Sequence, residues 1–129
     1  MKFYLDTSAA AKIIVEEAET DAIITYLDTL AEDDTIVSSA LLETELRRIA
    51  VRLTLEQSAV SEVLGRIDLV DPPRSLFYEA GLLPGANLRS LDALHLATAV
   101  RVSADTFVAY DARLLTSAHE LGLRTASPA

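Results

Sequence analysis

Short, continuous apolar runs alternate along this chain with longer segments whose apolar residues recur at helical spacing. Runs without a polar and apolar alternation are typical of strands that are buried on both faces, as the strands of parallel sheets are. Because helical segments separate the runs, we expect one parallel sheet with helices covering both faces. The predicted strands are Lys2–Leu5, Thr35–Val37, Ile67–Val70, Thr106–Tyr110 and Leu123–Ala126.

Capping and turn residues set the predicted limits of the helices. Ser38 and Ser39 are expected to cap the helix after the second strand, and Ser90 the helix that follows Pro84. Gly122 is expected to end the last helix. The predicted helices are two between Ser8 and Leu30, broken near residues 16–20, and then Ala40–Leu53, Leu55–Leu64, Ser75–Leu83, Ser90–Ser103 and Ala112–Leu121.

Length and composition exclude several classes of protein. A chain of 129 residues that is 50% apolar suits one compact domain, taken here as residues 1–129, and does not suit a disordered one. The absence of cysteine excludes a disulfide scaffold, a cysteine zinc site and thiol catalysis, and two histidines are too few for a histidine-rich metal site. No apolar segment suits a membrane span or a signal peptide, so we expect a cytoplasmic protein.

The charge balance bears on possible nucleic-acid binding. Eleven basic residues stand against 20 acidic ones, which gives a net charge of -9. Such a surface should repel a polyanion unless its basic residues are grouped. Divalent cations held by a cluster of carboxylates would weaken this objection, because they would neutralise part of the negative charge.

Three aspartates are expected near one edge of the sheet. Asp6 follows the first predicted strand and Asp111 the fourth, and each could simply cap the helix after it. Asp92 falls in the first turn of its helix, where a negative charge favours the helix dipole. These separate structural roles do not explain why all three positions converge at the carboxyl end of a parallel sheet, where ligands bind.

One glutamate of the helix predicted at residues 40–53 is a further candidate. Glu43 stands four residues before Arg47, the favoured order for a surface ion pair, so it is given a structural role. Glu45 lies on a polar face with Arg48 and Arg52, and we take it as the site residue, with Arg48 in a supporting role near a phosphate. The predicted core stripe of this helix is Leu42, Leu46, Ile49 and Leu53.

His95 lies three residues after Asp92 and therefore on the same helix face. A histidine between two leucines is more often a structural residue than a ligand, so we expect a structural role with a hydrogen bond into the acidic cluster. Four carboxylates with little histidine favour Mg²⁺ or Mn²⁺ over zinc. Because the chain has no P-loop, no GxGxxG and no GxSxG motif, phosphodiester hydrolysis is the favoured chemistry.

Four segments carry a family likeness in the same order as in that family, across nearly the whole chain: FYLDTSAAAK, SALLETELRR, LRSLDALHLATA and FVAYDARLLTSAHELGL. With them the sequence resembles the PIN-domain ribonucleases, and most closely the toxins of VapBC toxin–antitoxin pairs. The resemblance implies a three-layer α/β/α fold with a central parallel sheet of about five strands, and a magnesium-dependent endoribonuclease site. The positions that match the family's acidic quartet are Asp6, Glu45, Asp92 and Asp111, and its small hydroxyl neighbour is matched by Thr7 or Ser8.

The resemblance also implies partners and shows one departure. It implies an RNA substrate, an antitoxin protein that blocks the site, and a homodimer. Ala109 stands where the family commonly has Thr or Ser two residues before the last aspartate, so we expect a hydroxyl contact to be missing there, with an effect on rate.

Two alternatives to a nuclease remain open. A magnesium-dependent phosphatase could use Asp6 as a nucleophile, but the second aspartate that haloacid-dehalogenase-like enzymes need is replaced by Ser8, and the late lysine of receiver domains is missing. The other alternative is a catalytically weak or inactive binding module of the same fold. Retention of four converging carboxylates, whose repulsion costs stability without a cation, argues against it.

Overall fold

A computed structural model describes residues 1–129 and contains a five-stranded sheet in which every strand pair is parallel. The strands are β1 (Lys2–Leu5), β2 (Thr35–Ser39), β3 (Asp68–Val70), β4 (Thr106–Val108) and β5 (Arg124–Ala126). The helices are α1 (Thr7–Ile14), α2 (Thr20–Asp28), α3 (Leu41–Leu53), α4 (Gln57–Leu64), α5 (Arg74–Gly81), α6 (Ser90–Arg101) and α7 (Ala112–Glu120). All five predicted strands are present, and the prediction of a parallel sheet is confirmed.

Alternate residues of the central strand separate two apolar layers. Phe3 and Leu5 of β1 pack with buried side chains of α1, α2, α3 and α4 on one face of the sheet. Tyr4 points to the opposite face and packs with Phe107 and with buried residues of α6 and α7. Helix α5 packs against α6 outside this second layer. The three-layer α/β/α fold is therefore confirmed, and each fully buried leucine in it contributes about 1.5–3 kcal/mol.

The order of the strands, β3-β2-β1-β4-β5, creates a crevice at the carboxyl edge. The chain first moves outward from β1 to β3 and then returns to the other side of β1 with β4. Loops leaving β1 and β4 therefore diverge, and the point of divergence is where sheets of this kind bind ligands. None of the seven helices combines the length and the apolarity that crossing a bilayer requires.

The predicted caps of α3 were partly wrong. Ser38 and Ser39 belong to β2, and both are buried. The Ser38 hydroxyl donates to the Leu5 carbonyl at 2.8 Å, so it joins β2 to β1 and caps nothing. Only the Ser39 Oγ accepts a helix amide, that of Leu41 at 3.2 Å, while the N-cap position is held by Ala40.

Three further predictions for the helices are corrected. The predicted core stripe of α3 includes Leu53, but 49% of Leu53 is exposed, and Ala50 takes the buried position. Helix α4 begins at Gln57, because Thr54 adopts a left-handed backbone (φ 56°) that ends α3 and turns the chain. Ser90 does not cap α6, since Arg89 occupies the N-cap position without a side-chain hydrogen bond.

Candidate active site

Asp6 is the first residue after β1 and lies at the crevice. Its backbone N–H donates to the Val108 carbonyl at 3.0 Å, which holds the ends of β1 and β4 together. Its Oδ2 accepts from the Ser8 N–H at 3.0 Å and from the Ser8 hydroxyl at 2.6 Å, so Asp6 caps α1. The Ser8 Oγ in turn accepts from the Tyr110 N–H at 3.0 Å. Ser8 therefore fixes the Asp6 carboxylate against the loop that carries Asp111.

Asp111 follows β4 and caps α7 in the same manner. Its Oδ1 accepts from the N–H groups of Arg113 (2.9 Å) and Leu114 (3.2 Å). The capping roles considered from the sequence are thus real for both Asp6 and Asp111. In each carboxylate the second oxygen makes no hydrogen bond within the protein and is not sealed from solvent. Capping therefore orients both carboxylates and leaves one oxygen of each available to a ligand.

Asp92 lies in the first turn of α6, half-buried, and its two oxygens make no hydrogen bond. Burial raises the pKa of Asp92, and the negative charges of Asp6 and Asp111 raise it further, with a smaller contribution from Glu45 and an opposing one from His95. Asp92 and Asp111 line the same cavity, and the Ser8 hydroxyl contacts both the Asp6 carboxylate and the loop that carries Asp111. Three of the four predicted acidic residues therefore lie at the same edge of the sheet, and their role as a site stays a prediction.

Glu45 enters the site from α3, on the opposite side of the sheet from α6. Its Oε1 lies 2.6 Å from Nε2 of His95, which is only 1% exposed. The other ring nitrogen, Nδ1, lies 2.7 Å from the Tyr4 hydroxyl, and that hydroxyl accepts the Ser39 N–H at 3.1 Å. Because an ionised carboxylate can only accept, Nε2 must carry a proton and donate it to Glu45.

The electrostatics of the same group favour a charged imidazole. Burial acts to lower the pKa of His95, but the hydrogen bond to Glu45 and the charges of Asp6, Glu45 and Asp92 outweigh it, so the pKa is raised. The Thr7 hydroxyl lies 3.2 Å from the same Nε2. His95 thus has the structural role predicted for it, together with the predicted hydrogen bond into the acidic cluster.

The two glutamates of α3 separate as the helix periodicity predicted. Glu43 accepts from Nε of Arg47 at 3.1 Å on the exposed side, whereas Glu45 turns toward His95. Arg48 is exposed and forms neither a salt bridge nor a side-chain hydrogen bond, so no contact ties it to the carboxylates. Its supporting role stays a prediction.

Tyr4 also belongs to the site through its hydrogen bonds, although its sequence context predicts only a buried strand residue. It precedes Asp6 by two positions, and residues two apart in a strand share a face. That spacing was the available signal that Tyr4 lies beneath the site.

Ala109, the departure from the family pattern, is fully buried among the apolar residues around Phe107 and Leu114. Its expected effect on rate stays a prediction.

The donor set suits a hard divalent cation, although the side chains do not form a closed cage. Three aspartates present free carboxylate oxygens, which Mg²⁺ and Mn²⁺ prefer. In Asp6 and in Asp111, one carboxylate oxygen accepts hydrogen bonds from the protein, which orients the other oxygen. Carboxylates that bind metals are usually oriented in this way. No three His, Asp or Glu side chains are grouped closely enough to hold an ion as they stand, so binding would draw the carboxylates closer together.

The sequence is similar to a known protein family and to several curated proteins. The family model described as "PIN domain" matches residues 3–119. Among curated proteins, the chain is 40% identical to Ribonuclease VapC35 and 34% identical to Ribonuclease VapC47, both of Mycobacterium tuberculosis, and each comparison covers 97% of this chain and 96% of the relative.

Solved structures with the same fold include several toxin–antitoxin proteins. VapBC2 from Rickettsia felis, bound to a DNA fragment from its promoter, superposes with a TM-score of 0.76 at 20% identity and covers 100% of both chains. The sarcin–ricin loop cleaving toxin VapC20 of Mycobacterium tuberculosis gives 0.74 at 15% identity, covering 89% of this chain and 94% of that one.

Proposed function

This chain belongs to the PIN-domain family, and we propose that it is a metal-dependent endoribonuclease that acts as the toxin of a toxin–antitoxin pair. The observation that carries the proposal is the grouping of carboxylates at the crevice: Asp92 and Asp111 line one cavity, and Ser8 ties the Asp6 carboxylate to the loop that carries Asp111. Curated relatives of nearly the same length that are named ribonucleases support the choice of RNA as substrate.

Asp6, Asp92 and Asp111 would hold Mg²⁺, for which Mn²⁺ is a suitable substitute, since each offers an oxygen free of hydrogen bonds. When bound, such an ion stabilises negative charge on phosphate oxygens and makes water a better nucleophile. Glu45 stands beside this group as an acceptor for a proton from water, and the His95 imidazole fixes its direction. Ser8 and the first amides of α7 keep the aspartates oriented.

Two protein partners belong to this proposal. Neighbours in structure are toxin–antitoxin complexes, which supports an antitoxin that binds this chain and blocks the crevice. We also propose a homodimer, because α5 and the turn after it expose Phe77, Tyr78 (70% exposed) and Leu82 on a helix that packs on one side only, against α6. We place the activity in the cytoplasm, where its RNA substrates are.

The decisive experiment incubates the protein, purified without antitoxin, with total RNA in Mg²⁺ or in chelator, and maps the fragment ends. We expect defined cuts in Mg²⁺ and none in chelator. The variant Glu45→Gln should produce far fewer of these cuts while Glu43→Gln retains them, which separates the activity from a contaminating nuclease. Intact RNA under all conditions would favour the inactive binding module.

A further inference from the structure

A polar cavity of about 450 Å³ opens directly beside two of the carboxylates, Asp92 and Asp111. One wall is the loop 85–89 between α5 and α6, and the other is the exposed face of α7. Its volume falls within the range of about 300–1,000 Å³ for small-ligand sites, and it is large enough for one nucleotide. Most such sites are lined chiefly by apolar side chains, whereas polar and charged residues dominate here, which indicates a polar ligand.

Two arginines without carboxylate partners line this cavity. Arg89 lies three residues before Asp92 on one wall, and Arg113 lies two residues after Asp111 on the other. Three of the nine arginines are paired with carboxylates, namely Arg47, Arg66 and Arg101. Arg89 and Arg113 form no salt bridge, and of the six unpaired arginines only these two line the cavity. In a protein with a net charge of -9, two free guanidinium groups facing one cavity suit the phosphates on either side of a nucleotide.

The wall of the cavity formed by α7 carries polar side chains that suit hydrogen bonding to a base. Arg113, Thr116, Ser117 and Glu120 stand at i, i+3, i+4 and i+7 on α7 and so share one face of the helix. Glu120 forms no salt bridge and no side-chain hydrogen bond. No aromatic residue lines the cavity, so a base cannot stack on one, and the polar side chains of α7 are available to its hydrogen-bonding edge.

The chemistry of Glu120 selects among the four bases. An ionised carboxylate accepts two hydrogen bonds and donates none. Guanine alone presents two adjacent donors, N1–H and the N2 amino group, on its Watson–Crick edge. Adenine and cytosine present one amino donor beside an acceptor, and uracil presents one N–H between two carbonyl oxygens. A carboxylate at this position therefore favours guanine.

We infer that this cavity is a subsite for an unpaired guanine nucleotide next to the cleaved bond, with Arg89 and Arg113 on its phosphates and Glu120 on its Watson–Crick edge. The inference rests on the proposed ribonuclease function and deepens it. Because the base edge must be free to meet Glu120, the preferred substrate is a single-stranded or looped segment of RNA.

The test is cleavage of a randomised single-stranded RNA pool in Mg²⁺ by the full chain purified without antitoxin, with sequencing of the fragment ends. We expect guanine to be enriched at one position beside the cut. The variant Glu120→Gln should reduce that enrichment about tenfold, the discrimination typical of one bidentate contact, with a smaller effect on total cleavage. Glu62→Gln, an exposed glutamate of α4 on the other face of the sheet, is the matched control.

The arginines give a second readout. Arg113→Gln and Arg89→Gln should each weaken RNA binding equally for all sequences, without changing the base preference. In a plot of the logarithm of the binding constant against the logarithm of the salt concentration, each variant should reduce the slope by about one unit. Enrichment of guanine that survives Glu120→Gln, or cleavage by the parent without any preference for guanine, would overturn the subsite alone. A parent that shows no cleavage dependent on Mg²⁺ would overturn the ribonuclease function and the subsite with it.

Discussion

The imidazole of His95 and the carboxylate of Glu45 meet at 2.6 Å between Nε2 and Oε1. The contact joins α6 to α3 across the edge of the sheet, two helices that pack on opposite faces. Tyr4 holds the other side of the ring, so a line of hydrogen bonds runs from the Ser39 amide in β2 to the candidate catalytic glutamate. The position of Glu45 is therefore fixed by the core of the protein as well as by its own helix.

Tyr4→Phe removes one hydroxyl from this line and leaves the aromatic stack on Phe107 in place, with ring centroids 5.3 Å apart. His95 Nδ1 and the Ser39 amide lose their partner inside the core, so the free energy of unfolding should fall by about 1–3 kcal/mol. A less constrained Glu45 should lower kcat roughly tenfold with little change in KM, since Tyr4 does not line the cavity. Denaturant unfolding and RNA cleavage measure the two effects.

Tyr26→Phe is the control for this change. Tyr26 likewise contacts a phenylalanine, Phe3, although edge-on rather than stacked, and its hydroxyl makes no hydrogen bond. Stability and cleavage should both stay near the parental values. A Tyr4→Phe variant that is less stable yet cleaves at the parental kcat would show that the hydrogen-bonded line serves stability only.

Glu45→Gln and Glu43→Gln make the same substitution at two positions of α3 that lie two residues apart. Glu45→Gln should lower cleavage by a factor on the order of 10² with the fold retained, because an amide cannot accept a proton from water. Glu43→Gln should retain cleavage and cost about 0.2–0.5 kcal/mol, the value of its exposed pair with Arg47. Equal losses of activity in both variants would contradict the assignment of Glu45.

The sequence predicted the sheet and the positions of Asp6 and Asp111 at its carboxyl edge, because both depend on local order in the chain. A carboxylate placed directly after a buried strand, such as Asp6, must come to the carboxyl edge whatever the details of packing. Contacts between distant segments could not be read in this way. The Tyr4–His95 hydrogen bond joins residues 91 positions apart, and only the packing of α6 over β1 brings them together.

Errors of prediction arose where local preference and tertiary pairing compete. Ser38 has the sequence signature of a helix cap, yet its position beside β1 lets its hydroxyl bond to the Leu5 carbonyl inside the sheet. Leu53 matches the apolar period of α3, but it is the last residue of the helix, beside the left-handed turn at Thr54, and about half of it is exposed. The cavity beside Asp92 was also missed, because Arg89 and Arg113 belong to separate elements that only the fold brings to face each other.

Asp92→Asn should stabilise the protein in the absence of metal. Burial and the charges of Asp6 and Asp111 raise the pKa of Asp92, so the folded protein favours the protonated form more than the unfolded chain does. Stability linked to this group is full at low pH and is lost as the pH rises through the raised pKa. In chelator at neutral pH the variant should therefore unfold at a higher temperature than the parent.

The size and pH range of this effect are limited. Solvent screens the half-buried carboxylate, so we expect a gain of about 1 kcal/mol or less, or roughly 4 °C. The gain should vanish as the pH falls below about 3.9, the ordinary pKa of aspartate, because the side chain is then protonated in the unfolded chain as well. Asp21→Asn, which changes the same residue type in the first turn of α2, is the control and should show no gain. A variant less stable than the parent at neutral pH would contradict the repulsion.

Asp6→Asn separates the capping role of this residue from its proposed role as a ligand. Asparagine caps a helix about as well as aspartate, so α1 should remain intact and the unfolding temperature in chelator should equal or exceed that of the parent. Mn²⁺ at millimolar concentration should raise the unfolding temperature of the parent, since a ligand that binds only the folded state stabilises it. The variant should show little of this rise and no cleavage dependent on Mg²⁺, because an amide oxygen is a weaker ligand for a hard cation. Asp6→Ala, which loses both the cap and the ligand, should in addition cost about 1 kcal/mol of stability. If Asp6→Asn kept both the Mn²⁺ response and the parental rate of cleavage, Asp6 would be a helix cap and nothing more, and the metal would have to be held elsewhere.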